Sequence, residues 1–78
     1  MITGSQIRAA RAAIGISGAK LAESSGVSLR ALAKIESFEG LPASRVSTLS
    51  KLKVALEAAG IEFIGTPEDG PGIRIHKK

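Results

Sequence analysis

Leu29, Arg30, Ala33 and Lys34 share one face of any helix built from residues 29–36, and Leu32 and Ile35 fall on the opposite face. The first set has the chemistry to read a nucleic-acid groove. A planar guanidinium such as that of Arg30 can bond O6 and N7 of one guanine together, a leucine can pack on a thymine methyl, and a lysine can reach a base or a phosphate. The same cations also suit a merely solvated face, so the reading depends on what holds them. No reactive set competes with it. Ser24, Ser25 and Ser28 cluster about a turn without an accompanying histidine, and His76, the only histidine, stands beside Lys77 and Lys78 and reads as part of a disordered basic tail. The Gly-Pro-Gly at 70–72 reads as a turn with no phosphate-binding spacing around it. With no cysteine, carboxylate pair or nucleophile–base set, the expectation is a protein with no enzymatic activity, no cofactor and no metal.

Residues 17–36, SGAKLAESSGVSLRALAKIE, fit two short helices joined by a tight turn. Ser17 precedes Leu21 and Ala22 by one helical turn, and Ser28 precedes Leu32 and Ile35 in the same way. A serine at such an N-cap accepts a hydrogen bond from a first-turn N–H and stabilises the helix by roughly 1 kcal/mol. Ile16 with Leu21, and Val27 with Leu32, have the spacing of hydrophobic staples. Gly26 supplies the left-handed residue that ends one helix and frees the chain to enter the next. Ala22 is small enough to let the two helices cross closely. If such a pair reads DNA, its second helix presents its first turn and outward face to the major groove; a helical pair with a glycine turn also occurs in many small helical proteins.

In type and spacing Ala22, Gly26, Val27, Leu32 and Ile35 resemble the Cro-like (Xre) helix-turn-helix family of small phage and bacterial DNA-binding regulators. IRAARAAIGIS upstream is similar to that family's first helix and TLSKLKVALEAAG downstream to its fourth, so the resemblance covers residues 1–60. The IEFI and GPGIRIHKK segments resemble a C-terminal extension seen on many small bacterial members. The resemblance implies a mainly α, four- to five-helix lambda-repressor-like domain. It places Ser28, Leu29, Arg30 and Lys34 at base-contacting positions, and Ala31 where a phosphate contact is usual. Further phosphate contacts are expected from the start of the second helix at Ser17 and Gly18, and from Arg45 at the start of the fourth. It also pairs Arg11 with Glu36. Arg11 shares an apolar face with Ile7, Ala10 and Ile14, and a buried charge has to be paired; the alternative is an arginine that snorkels to solvent. Gly18 stands where the family usually has a phosphate-anchoring glutamine, Ala31 and Ala33 where polar side chains are frequent, and Ser25 where a small apolar residue is usual.

At 78 residues the chain is long enough for one small core that buries about 60% of the unfolded surface. The net charge is +4, and its placement says more than its size. Through Gly60 there are eight basic and four acidic residues, a balance of 8 − 4 = +4, whereas residues 61–78 carry three of each and balance to zero. The excess lies where phosphates would be met. No segment approaches the roughly 20 apolar residues of a membrane span, and MITGSQ lacks the regions of a signal peptide. Together with the missing cysteines this leads to the expectation of a soluble, cytoplasmic protein.

The first helix is expected to start after Thr3 with a capping box to Gln6 and a staple between Ile2 and Ile7, and to close at Gly15. Gly40 and Pro42 mark a loop, from which Phe38 can cover the core. The fourth helix starts near Ser44 or Arg45, faces inward with Leu49, Leu52, Leu56 and Ala59, and takes Gly60 as its C-cap. Ile61 and Phe63, then Ile73 and Ile75, alternate with polar residues as two short strands, with the Gly/Pro-rich residues 65–72 between them as a loop. Two domains of the chain follow: a DNA-binding unit at 1–60 and a strand extension at 61–78. The strands pair either within the chain or, the favoured alternative, across a homodimer, because an isolated hairpin is marginal and leaves open edges. The expected function is a sequence-specific transcriptional regulator, a repressor that binds an inverted repeat in double-stranded DNA as a homodimer. The alternative is a protein-interaction module, such as an antitoxin, that keeps the fold.

Overall fold

The computed structural model describes residues 1–76 and runs α1 (Gly4–Ile14), α2 (Gly18–Ser25), α3 (Leu29–Glu36), α4 (Val46–Ala58), β1 (Ile61–Thr66) and β2 (Asp69–Ile75). It is mainly α with a C-terminal antiparallel hairpin, and among the described residues there are four helices rather than five. No helix among them is long and apolar enough to cross a membrane.

The first three helices start as their capping residues dictate. Thr3 Oγ1 accepts from the Gln6 N–H at 3.0 Å while Gln6 Oε1 accepts from the Thr3 N–H at 2.8 Å, a complete capping box. Ser17 and Ser28 accept from the N–H groups of Lys20 and Ala31. Gly15 and Gly26 end α1 and α2 at φ of 73° and 75°, in the left-handed region that an L side chain avoids. α4 is different: Arg45 occupies its N-cap, and no side chain caps it.

Ile7 and Ala10 of α1, Leu21 of α2, Leu32 and Ile35 of α3, Leu49, Leu52 and Leu56 of α4 and Ile61 of β1 form one buried core. Each fully buried leucine or isoleucine contributes about 1.5–3 kcal/mol of transfer free energy. Ala59, expected inward, is exposed; α4 ends at Ala58, and Ala55 packs against the core instead. Ala59 itself takes the C-cap, and Gly60 follows with φ of 104° and turns the chain into β1.

The first turn of α1 lies directly on the end of α3. Gly4 is buried, its N–H donates to the Gly40 carbonyl at 3.1 Å, and a Cβ added to it would collide with the carbonyls of Ile35 and Phe38. Glycine to alanine inside a helix ordinarily stabilises by about 0.5–1 kcal/mol. Here the expected sign is opposite: Gly4→Ala costs about 2 kcal/mol, which circular-dichroism melting would register as a midpoint about 10 °C lower.

The hairpin departs furthest from expectation. β1 and β2 pair within the chain, with Ile61 opposite Ile75, Phe63 opposite Ile73 and Thr66 opposite Asp69. The strands therefore extend through most of the segment expected to be loop, leaving only Pro67 and Glu68 to turn. Thr66 Oγ1 caps the turn by accepting from the Asp69 N–H at 3.0 Å. Gly65 and Gly70, both at positive φ, accommodate the register shift between Ile64 and Thr66. Pro71 is tolerated because a two-stranded sheet consists of edges only. Phe63 and Ile73 pack on the core, and the Gln6 amide donates to the Gly72 carbonyl at 2.8 Å and the Ile64 carbonyl at 3.2 Å, which ties both strands to α1.

His76 is not a free tail residue. Its N–H donates to the Gly60 carbonyl at 2.7 Å, and its Nε2 lies 2.7 Å from Glu62 Oε1, which also accepts from Arg74 at 3.4 Å; Lys77 and Lys78 lie outside the described residues. The hydrogen bond with His76, and then the charge of Arg74, hold the Glu62 carboxyl below its ordinary range. A lowered carboxyl favours the fold above the ordinary carboxylate range and stops doing so as pH falls through the lowered value. Hairpin amides are therefore expected to lose protection, relative to their intrinsic exchange rates, below about pH 4, and Glu62→Gln to abolish that acid dependence in hydrogen-exchange measurements.

Candidate nucleic-acid interface

α3 sorts its side chains as the periodicity requires. Leu32 and Ile35 are buried, while Arg30, Ala33 and Lys34 are exposed and Leu29 is 51% exposed at the first turn. Ser28 uses a lone pair to cap α3 and retains its hydroxyl proton for an outside acceptor. Ser17 does the same at α2. Beyond it the N–H groups of Gly18 and Ala19 have no acceptor within the helix, and the positive end of the helix dipole adds to them.

Gly18 and Leu29 belong to one surface. A Cβ on Gly18 would lie 3.4 Å from Leu29 Cδ1, so the leucine leans across the start of α2 where a long side chain is usual in the resembling family. Ala31 is half-buried against the core, and its N–H is engaged by Ser28. It contributes a wall rather than a donor. That wall belongs to a groove of about 540 Å³ between α3 and the start of α4, lined by Ala31, Lys34, Ile35, Phe38, Ser44 and Arg45 among others. Lys34 and Arg45 bring positive charge to opposite sides of it. Because α4 lacks a side-chain cap, the N–H groups of Val46 and Ser47 add to the donors at its Arg45 end.

α3 is held at its C-terminal end by two arginines of α1. Arg11 grips Glu36 with both arms, Nε to Oε2 at 3.0 Å and Nη2 to Oε1 at 2.9 Å, and donates through Nη1 to the Ile16 carbonyl at 3.2 Å. The hydrogen bond and charge of Glu36 raise the Arg11 pKa above its ordinary value, against the opposing effect of burial. Arg8 lies one turn earlier and donates to the Glu36 carbonyl, to the Phe38 carbonyl at 3.3 Å and to Ser5 Oγ at 3.0 Å. In the sequence Arg8 stands out only as part of the charge excess. Its spacing of three from Arg11, which puts both on one side of α1, was the available signal.

The clasp also redistributes the charge. Arg8 and Arg11 point inward, and Lys20 pairs with Glu23 at 3.3 Å, which leaves Arg30, Lys34 and Arg45 as the exposed cations of α3 and the following turn. The side chain of Glu36 is 11% exposed and that of Arg11 29%, so removing the arginine strands a carboxylate that water reaches poorly. Arg11→Met is expected to cost about 1–2 kcal/mol, and the double variant Arg11→Met/Glu36→Leu to recover most of it in denaturant titrations. The lower end of that range reflects the partial exposure of the pair.

No protein-family model matches this chain, and no curated protein matches it.

Proposed function

We propose that this chain is a sequence-specific DNA-binding transcriptional regulator of the Cro-like, lambda-repressor-like kind, acting as a homodimer on an inverted repeat and repressing by occluding polymerase. The observation that carries the reading is the exposed face of α3, where Arg30, Ala33 and Lys34 stand clear of the body and Leu29 leans half-exposed on the start of α2, while Arg8 and Arg11 fix the end of the same helix. A helix held this way can enter a major groove without the cost of being ordered on binding. Arg30 reads a guanine edge, Leu29 a thymine methyl, and Ser28 and Lys34 the neighbouring positions. Gly18 and Ser17 at the start of α2, and Arg45 across the groove, hold phosphates on either side and set the depth of entry. Two copies would place their α3 helices about one helical turn of DNA apart.

Selection of bound duplexes from a random pool, repeated at two salt concentrations, tests this reading. The expected result is an enriched inverted repeat and an affinity that falls steeply with salt as counterions are released. A pool that stays random, with weak binding even at low salt, would overturn it in favour of a protein-interaction module on the same fold.

A further inference from the structure

α4 carries apolar residues on both sides. Leu49, Leu52 and Leu56 face the core, whereas Val46, Ser50 and Val54 recur every four residues on the opposite side, with Val46 62% and Val54 64% exposed. Ala58 continues this outer row and, with Ser24, Ser25 and Val54, lines a shallow groove of about 440 Å³ where α2 ends against α4. Such a helix is unusual on a surface, since one apolar stripe suffices to attach it to a core.

The charges beside the outer row indicate what covers it. Lys53 and Glu57 lie one turn apart on the same flank, both are exposed, and among the described residues neither has an ion-pair partner. A two-fold axis perpendicular to α4 at the level of Ala55 brings the level of residue 53 onto that of residue 57. In an antiparallel helix pair with that axis, residues of like flank meet, so Lys53 of each copy faces Glu57 of the other. The same operation seats Val54 of each copy between Val54 and Ala58 of its mate, with Ser50 and Ala58 small enough for close approach.

We propose that the outer face of α4 is the docking surface for a second copy of this chain, packed antiparallel about a two-fold at Ala55. The inference rests on the homodimer in the functional reading and specifies where that dimer forms. It moves the contact away from the hairpin, whose strands pair with each other within one chain and are tied to Gln6. The other flank of α4, where Thr48 lines the groove with Lys34 and Arg45, stays uncovered, so each copy keeps its phosphate-binding side open.

Sedimentation equilibrium of the full chain tests the interface. The wild type is expected to dimerise, Val54→Glu to be monomeric with an unchanged circular-dichroism spectrum, and Lys53→Glu and Glu57→Lys each to raise the dimer dissociation constant about tenfold or more. The double variant Lys53→Glu/Glu57→Lys is expected to restore wild-type association, and an equimolar mixture of the two single variants to form heterodimers, which a contact of the two charges within one helix would not do. A wild type that stays monomeric overturns the proposal, as does a dimer indifferent to Val54→Glu. Binding of each variant to the selected duplex separates the two readings: specific binding by a monomer would sink the interface and spare DNA reading, and a dimer with the expected variant behaviour but no DNA affinity would do the reverse.

Discussion

Gln6→Glu is expected to destabilise the protein by about 3 kcal/mol, although by local rules it is a neutral exchange. Glutamate serves as well as glutamine at the third position of a capping box, and its oxygen would still accept from the Thr3 N–H. What it lacks is a donor. The Gln6 amide satisfies the carbonyls of both Ile64 and Gly72, and its residue is 4% exposed. A carboxylate there faces two carbonyl oxygens in a place where water cannot replace the lost donor. The thermal midpoint should fall by roughly 12–24 °C. The introduced carboxyl would be raised above its ordinary range, so the deficit should be largest at neutral pH and shrink toward about pH 4, where a protonated carboxyl recovers one donor. A loss below about 1 kcal/mol, or one that ignores pH, would show that the amide does not hold the hairpin.

Arg30→Ala is expected to change recognition and leave stability alone. Arg30 is exposed and makes no ion pair among the described residues, so melting should move by less than about 0.5 kcal/mol. Binding to the selected duplex should weaken by about 1–3 kcal/mol, roughly 5- to 150-fold, and the loss should be confined to one base position in each half-site. Repeating the selection with the variant gives the decisive comparison. If the consensus is unaltered, Arg30 is a solvated cation and the base-reading role passes to another residue of α3. If affinity falls equally at every sequence, Arg30 meets a phosphate.

Several elements are legible in the amino-acid sequence by itself. Thr3, Ser17 and Ser28 each command a bond within three residues, and Gly15 and Gly26 a local backbone conformation, so the starts of α1, α2 and α3 and the ends of α1 and α2 follow from nearest neighbours. The inward rows Leu32/Ile35 and Leu49/Leu52/Leu56 follow from helical period alone. The Arg11–Glu36 pair came from the resemblance, and the geometry bears it out to both arms of the guanidinium. Other features were hidden for one shared reason. Residues 65–72 are poor in strand formers, and only pairing across Pro67 and Glu68, with two glycines at positive φ, makes them strands.

By itself, then, the sequence determined the helix starts, the buried rows and the outward set on α3, because those depend on interactions spanning about one turn of chain. Tertiary structure alone decided that Gln6 reaches Gly72, that Arg8 reaches the end of α3, that Gly4 must lack a side chain and that the hairpin closes on its own chain. Each of these joins groups far apart in the chain, and a donor's partner at that range is set by how the helices cross rather than by its neighbours.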